Sequence, residues 1–443
     1  MNPNNPRELA LRAVQAVQRE GVPLDDVLDA LLADFSGSAR DRALAFEIAV
    51  GTTRYFNLLD HLLVRCMERP LPVGRHWTRA ALRTGLYQAA FLRIPARAAV
   101  HETVELVKNS PERALAGFVN AVLRRAAGLD REQVVAEISD PEARLAVATA
   151  HPPWLVTRWV ARLGLEGARR RLEAGNRPPP LTLRVNTLAT SRERVIAALQ
   201  QAGCEVQPMA GVPQGLVLPR PAGGVAALPG FAEGWFVVQD PAAQRVAPFL
   251  DPRPGERILD LCAAPGGKTT HLAALAEGKA RVVAVEKRLT RIPRLRENLT
   301  RLKVPGVTVQ RGDGAEVAGE AAFDKVLVDA PCTGTGIIRR HPDVKWRRGP
   351  GDLARMVVEQ ERLLTAAARA VRPGGVLVYA TCSLEPEENE ARIEAFLADH
   401  PDWQRRSLVP ELEAPLLTPA GDFASEPGWA DMDGFYAARL QRK

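Results

Sequence analysis

Apolar positions along this chain change their period twice. Leu9, Ala13, Val14 and Val17 recur at the three-and-four spacing of one helix face. So do Leu44, Ala45, Ile48 and Ala49, then Leu82, Leu86, Ala89 and Leu92, then Val104, Val107, Phe118, Val119, Val122 and Leu123. Gly21-Val22-Pro23, Pro70-Leu71-Pro72 and Ile94-Pro95 break the runs. The pattern predicts an all-helical bundle over residues 1–130, a size that supports its own core. Residues 131–239 read as a linker helix ending near His151-Pro152-Pro153-Trp154 and then a small α+β subdomain. Its predicted elements are a helix from Trp154 to Leu165, a strand over Leu181–Val185, a helix from Arg192 to Gly203 and a strand over Trp235–Val238. From Asp240 the pattern alternates. Strands are predicted over Arg257–Leu261, Arg281–Val285, Val307–Gln310, Lys325–Val328 and Gly375–Tyr379, with helices over Thr270–Ala276, Leu289–Leu302 and Asp352–Val371. Alternation of this kind implies a mainly parallel sheet with helices on both faces over residues 240–443. The tail Gly434-Phe435-Tyr436-Ala437-Ala438 suits a final strand, antiparallel at the sheet edge.

Composition narrows the class. With 443 residues, 46% hydrophobic and 25% charged, the chain is a soluble multidomain protein by its bulk properties. No apolar run reaches the roughly 20 residues of a membrane span, and the N-terminus has no signal-peptide core, so a cytoplasmic protein without a membrane partner is expected; a monomer is expected as well. Five cysteines without a CxxC pair suggest neither a disulfide framework nor a metal site. The net charge of +7 is compatible with plain solvated arginines or with a polyanionic partner. Its distribution favours the second: Lys287, Arg288, Arg291, Arg294, Arg296, Arg301 and Lys303 crowd one segment, and Arg339, Arg340, Lys345, Arg347 and Arg348 another. Arg339, Arg340 and Lys345 are the candidate nucleic-acid contacts.

The most informative segment runs from Ile258 to Thr270. An apolar strand enters the turn Cys262-Ala263-Ala264-Pro265-Gly266-Gly267-Lys268 and passes directly into a helix, which gives a ligand access to backbone amides. A triphosphate loop would need a glycine where Cys262 stands, and the G-x-G-x-x-G of a dinucleotide turn is absent. Glu286 ends the next strand, where a carboxylate accepts both hydroxyls of an adenosine ribose, and Asp313 ends the third, within reach of an adenine amino group. A solvated strand end is the plain alternative for Glu286, and the turn and Asp313 weigh against it. S-adenosylmethionine fits this set better than a nucleotide.

Two later strand ends supply thiols: Asp329-Ala330-Pro331-Cys332 and Ala380-Thr381-Cys382-Ser383. Both lie among small and polar residues, poor settings for core packing, whereas Cys66, Cys204 and Cys262 read as buried small hydrophobes. A metal site from Cys262, Cys332, Cys382 and His271 lacks paired-ligand spacing. A thiol, an acid and a methyl donor at one place are the requirements for methylating carbon 5 of cytosine. That carbon becomes nucleophilic only after a thiolate adds to carbon 6 while an acid engages ring N3.

Asp329-Ala330-Pro331-Cys332-Thr333-Gly334-Thr335-Gly336 and Ala380-Thr381-Cys382-Ser383-Leu384-Glu385-Pro386-Glu387-Glu388-Asn389-Glu390 resemble the two signatures of RNA 5-methylcytosine methyltransferases, and Cys262–Lys268 is similar to that family's cofactor motif. Arg7-Glu8-Leu9-Ala10, Val50-Gly51-Thr52-Thr53-Arg54 and Phe118–Arg124 resemble the NusB fold, an RNA-binding accessory domain in that reading and a plain scaffold in the other. With Arg339–Trp346, they place the resemblance in the Sun/RsmB branch. It implies a NusB-like bundle, a small α+β subdomain and a Rossmann-like methyltransferase domain, acting on 16S rRNA at cytosine 967. It makes Cys382 the nucleophile, has Cys332 assist release, and puts Asp329, with Lys268, at the base. Thr333 and Glu286 stand where serine and aspartate are commoner. The alternatives are another rRNA or tRNA cytosine, or a non-catalytic RNA-binding assembly or antitermination factor.

Overall fold

The computed structural model describes residues 4–219, 224–317, 319–408 and 412–443, and their contacts resolve into two compact units. One contains the residues up to Arg177 together with Ile338–Gly349; the other contains Pro178–Ile337 and Pro350–Lys443.

The first unit is helical. Pro6–Glu20, Leu24–Ala33, Ala39–Arg54, Phe56–Arg65, His76–Phe91, Ala96–Lys108 and Ala116–Ala126 stack their apolar stripes into one core built on Leu11, Val14, Ile48, Leu59, Leu86, Val119 and Leu123. The breaks read from the sequence coincide with helix ends. Gly21 closes the first helix in the left-handed region at φ 62°, and its N–H returns to the Val17 carbonyl. Asn5 caps the same helix at its start, and Ser38 with Asp41 forms a reciprocal capping box on the third. Helices Arg131–Ala136, Pro141–Ala148 and Pro153–Asn176 belong to this unit, the last interrupted at Gly164 (φ 68°, ψ 170°).

The second unit holds two sheets. Strands β1 (Leu181–Val185), β2 (Gln207–Pro208), β3 (Gly215–Leu218) and β4 (Phe236–Val238) pair antiparallel in the order β2-β3-β1-β4. Leu183 and Val185 enter that sheet's own core with Val195, Leu199, Leu216 and Phe236. Thr182 and Arg184 point the other way, as the two-residue period requires.

The larger sheet comprises β5 (Arg257–Leu261), β6 (Arg281–Glu286), β7 (Val307–Arg311), β8 (Phe323–Asp329), β9 (Val371–Thr381), β10 (Trp403–Arg405), β11 (Phe423–Ser425) and β12 (Phe435–Arg442). Five parallel strands run in the order β9-β8-β5-β6-β7. On β5, β6, β8 and β9 both faces are covered, so these strands are mainly apolar runs. Leu259, Val326 and Leu377 pack with helix Pro350–Ala370 on one face, and Ile258, Val282, Leu327 and Val378 pack with helices Pro241–Phe249 and Gly267–Leu275 on the other. The final strand β12 is antiparallel to β9, as the tail suggests, but it is not the edge: β10 and β11 also pair with it.

The connectivity fixes where chemistry can occur. From β5 the chain moves outward to β6 and β7, then returns to the other side of β5 as β8 and β9. The carboxyl ends of β5 and β8 are therefore a switch point, where an open α/β sheet leaves a crevice.

Candidate active site

At the end of β5 the chain turns sharply. Cys262 adopts φ 64° and Gly266 φ 99°, the Ala264–Pro265 peptide is cis, and helix Gly267–Leu275 follows. The turn is held by Ala263 N–H to Val285 O (3.0 Å) and Gly266 N–H to Ala263 O (2.8 Å). The positive φ favours glycine at 266, and Leu295 Cδ1 lies 2.7 Å from where a Cβ would stand. Burial pushes the Cys262 thiol pKa up, with Asp329 and Glu286 adding to the effect, so it remains a thiol within the turn.

Arg184 braces this turn from β1, a role that its sequence setting does not suggest. Its guanidinium is buried and donates to Gly267 O (2.5 Å), Gln239 Oε1 (2.8 Å) and Thr270 Oγ1 (2.7 Å). The only signal available in the sequence is an arginine at an otherwise apolar strand end. His271, on the same helix, is buried with both ring nitrogens unpartnered and is held neutral by burial and by Arg184. Among the described residues no group of three or more His, Cys, Asp or Glu side chains is arranged to hold a metal ion.

Glu286 ends β6 with 5% of its surface exposed, accepting from Ala264 N–H (3.3 Å) and Arg288 N–H (2.7 Å). A carboxylate with one protein donor on each oxygen keeps lone pairs for two ribose hydroxyls. Asp313, after β7, accepts from Arg362 (2.8 Å), Ala315 N–H (3.0 Å) and Lys287 (2.8 Å). Burial raises its pKa, but the two cations and the amide win and hold it at about 2.

The loops after β8 and β9 bring the thiols together. Cys332 Sγ and Cys382 Sγ lie 3.3 Å apart. Cys332 is buried and Cys382 half-buried. The hydrogen bond to Cys382, burial and the nearby Glu388 charge raise the Cys332 pKa well above that of an ordinary thiol. Gly336 closes the first loop: its N–H donates to Cys382 O (3.0 Å), and a Cβ there would meet Gly434 O at 2.0 Å. Beside the thiols, Lys268 Nζ donates to Asp329 Oδ2 at 2.6 Å and sits 5.3 Å from the Phe435 ring centre. Burial lowers the lysine pKa, but Asp329, with Cys382 and Asp260 contributing, more than offsets this and the net shift is upward.

The arginine-rich segment 338–349 belongs to the helical unit. Lys345 is 1% exposed, and its ammonium donates to Arg54 O (3.1 Å), Ala150 O (3.0 Å) and Asn176 Oδ1 (2.6 Å). Arg339 is 2% exposed, and its carbonyl accepts from Arg54. Trp346 donates to Thr53 O and packs its ring at a tilt against Phe56. The burial of Arg339 and Lys345 leaves neither charge at the surface for a phosphate, so the structure offers no support for them as RNA contacts. Arg340 is half-buried and already engaged. By contrast, Lys287, Arg288, Arg291, Arg294 and Arg296 are exposed around helix Ile292–Arg301, whose Leu295 packs against Gly266.

Family models place these features. Residues 247–441 match the 16S rRNA methyltransferase RsmB/F model, 4–128 the NusB family, and 151–224 the ferredoxin-like domain of RsmF/B-like methyltransferases. The chain is 40% identical over 443 residues, 99% of each protein, to ribosomal RNA small subunit methyltransferase B of Salmonella typhi. The chain belongs to the RsmB/F family of rRNA small-subunit methyltransferases. The corresponding Klebsiella pneumoniae protein is also 40% identical, across 99% of this chain and 98% of its own. Among solved structures, a methyltransferase homolog protein from Pyrococcus horikoshii aligns at a TM-score of 0.59 with 31% identity, covering 69% of this chain and all of that one. Family membership makes S-adenosylmethionine the methyl donor and agrees with the three-part fold expected from the sequence.

Proposed function

We propose that this RsmB/F-family enzyme methylates carbon 5 of a cytosine in 16S rRNA, cytosine 967 in the Sun/RsmB reading, through a covalent cysteine–cytosine intermediate in the cytoplasm. The observation that carries the proposal is the pair of thiols 3.3 Å apart at the edge that also bears the Lys268–Asp329 pair and the small-residue turn. The cofactor fits the residues present: the Cys262–Lys268 turn approaches a helix N-terminus without bulky side chains, Glu286 ends β6 and Asp313 lies just after β7. S-adenosylmethionine supplies an electrophilic methyl group when bound.

The protein's own groups divide the remaining work. Cys382 adds to carbon 6. Cys332 is buried whereas Cys382 is only half-buried, and the raised pKa of Cys332 leaves it a thiol that can donate across the 3.3 Å contact to Cys382 Sγ. These features support Cys382 over Cys332 as nucleophile. Asp329, with Lys268, is assigned to the N3 edge of the base, where a hydrogen bond or proton makes the addition feasible. Once carbon 5 carries the methyl group, a base removes its proton, the C6–S bond breaks and the thiolate departs; Cys332 is assigned to that release. Incubating the protein with labelled donor and 16S rRNA and mapping the modified base tests the reading. Label on a cytosine carbon 5 supports it, and label on a sugar or an exocyclic nitrogen refutes it.

A further inference from the structure

We propose that Glu388 is a positioning residue for the methyl transfer, tying the loop that carries Cys332 to the loop that carries Cys382 and so setting the separation of the two thiols. The inference rests on the two-thiol reading above. Glu388 is fully buried in the short turn Pro386–Glu388 after the Cys382 loop. One oxygen accepts from Thr333 N–H (2.8 Å) and from Gln360 Nε2 (2.9 Å). The other accepts from Thr333 Oγ1 (2.5 Å) and from the Ser383 hydroxyl. Thr333 follows Cys332 and Ser383 follows Cys382, so one carboxylate grips the residue next to each thiol. Gln360 extends the clamp to helix Pro350–Ala370 and also donates to Pro331 O (2.9 Å), the residue before Cys332.

The surrounding bonds hold the backbone around Glu388 and Ser383 rather than the thiols directly. Tyr379 OH donates to Glu388 O (2.7 Å), Asn389 Nδ2 to Ser383 O (2.9 Å), and Thr381 Oγ1 to Asn389 Oδ1 (2.6 Å). Burial pushes the Glu388 carboxyl pKa up while its donors pull it back, as a desolvated but fully bonded acid should behave. Neither cysteine makes a bond to Glu388 among those described, so its influence runs through loop geometry and, for Cys332, through the field that keeps it protonated. A one-ångström misplacement between reacting groups is enough to cost a large factor in rate.

The test uses the full chain with 16S rRNA and S-adenosylmethionine, and adds a readout independent of RNA chemistry. Diamide takes two electrons and two protons from a close thiol pair, becoming a hydrazide as the S–S bond forms. The rate of Cys332–Cys382 pairing, followed by peptide mass mapping, therefore reports thiol geometry. Glu388→Ala should slow pairing and lower kcat by about tenfold or more, with KM for RNA and cofactor within about twofold. Glu388→Gln keeps one acceptor oxygen and an amide that the two hydroxyls can accept from, and should stay within about threefold of wild type. A folded Glu388→Ala with wild-type pairing and kcat overturns the proposal, as does an equal loss in both variants. Where Glu388→Ala does not fold, Thr333→Val decides: one tether fewer should slow pairing severalfold, and an unchanged rate overturns the role. Full methylation without a protein–RNA adduct in either single-cysteine variant would sink the covalent mechanism itself and would leave the pairing result standing.

Discussion

Replacing Lys345 with methionine separates two roles for the arginine-rich segment, phosphate binding and internal packing. The lysine stem is retained in length while the ammonium is lost. Three acceptors, Arg54 O, Ala150 O and Asn176 Oδ1, then lose their donor inside a region where the residue is 1% exposed. Each buried acceptor left unpaired costs about 1–3 kcal/mol. Relief of the ammonium's own desolvation returns several kcal/mol, so the net destabilisation should be about 2–4 kcal/mol. For a unit of this size that is a fall in melting temperature of about 5–15 °C. The assay is calorimetry paired with RNA binding measured across a salt series. Lys345→Met should melt earlier while its salt slope stays at the wild-type value. Reversal of the exposed Arg291 and Arg296 to glutamate should do the opposite, flattening the slope by about 0.7–0.9 for each phosphate no longer neutralised. A Lys345→Met protein with wild-type melting and a slope flattened by one phosphate's share would refute the structural role and restore the lysine to the RNA interface.

Two further outcomes follow from the carboxylates of the site. Glu286→Ala should weaken S-adenosylmethionine binding by about 1–3 kcal/mol in calorimetric titration, and wild-type affinity would remove Glu286 from the cofactor site. Asp260 is fully buried beneath the turn, and burial, opposed by the Thr269 hydrogen bond, raises its pKa from 3.8 to about 7. The folded protein therefore binds this proton more tightly than the unfolded chain, so the associated stability is complete below about pH 4 and is lost as pH rises through about 7. Asp260→Asn should flatten that decline, by up to about 1.4 kcal/mol per pH unit within the window. An unchanged pH profile in denaturant titrations would show that Asp260 does not carry it.

Much of this molecule is legible in its sequence because two signals are strong. Parallel strands buried on both faces read as uninterrupted apolar runs, so β5 has the predicted bounds and β6 extends by one residue. Strand ends then carry chemistry by topology, which is why Cys262, Asp329, Cys332 and Cys382 converge. What is not legible depends on partners distant in the chain. Nothing local distinguishes a lysine that will meet a phosphate from Lys345, whose acceptors lie at positions 54, 150 and 176. Charge density marks the segment as basic, but burial decides its role. Arg184 and Glu388 escape a sequence reading for the same reason: each is a charged side chain whose meaning comes from backbone groups and hydroxyls that the fold delivers. The final strand reads as an edge because the short strands β10 and β11 that pair with it span only three residues each.

The covalent mechanism is tested most directly by replacing each thiol and looking for protein–RNA adduct after denaturing electrophoresis. Addition precedes release, so loss of each catalyst should leave a different species. Cys382→Ala should neither methylate nor form an adduct, because the ring is never activated. Cys332→Ala should allow Cys382 to add and the methyl group to transfer, then release slowly, so an adduct that survives denaturation should accumulate. The double variant should form none. An adduct in Cys382→Ala instead would assign the nucleophile to Cys332, and full activity with no adduct in either single variant would contradict the covalent route altogether.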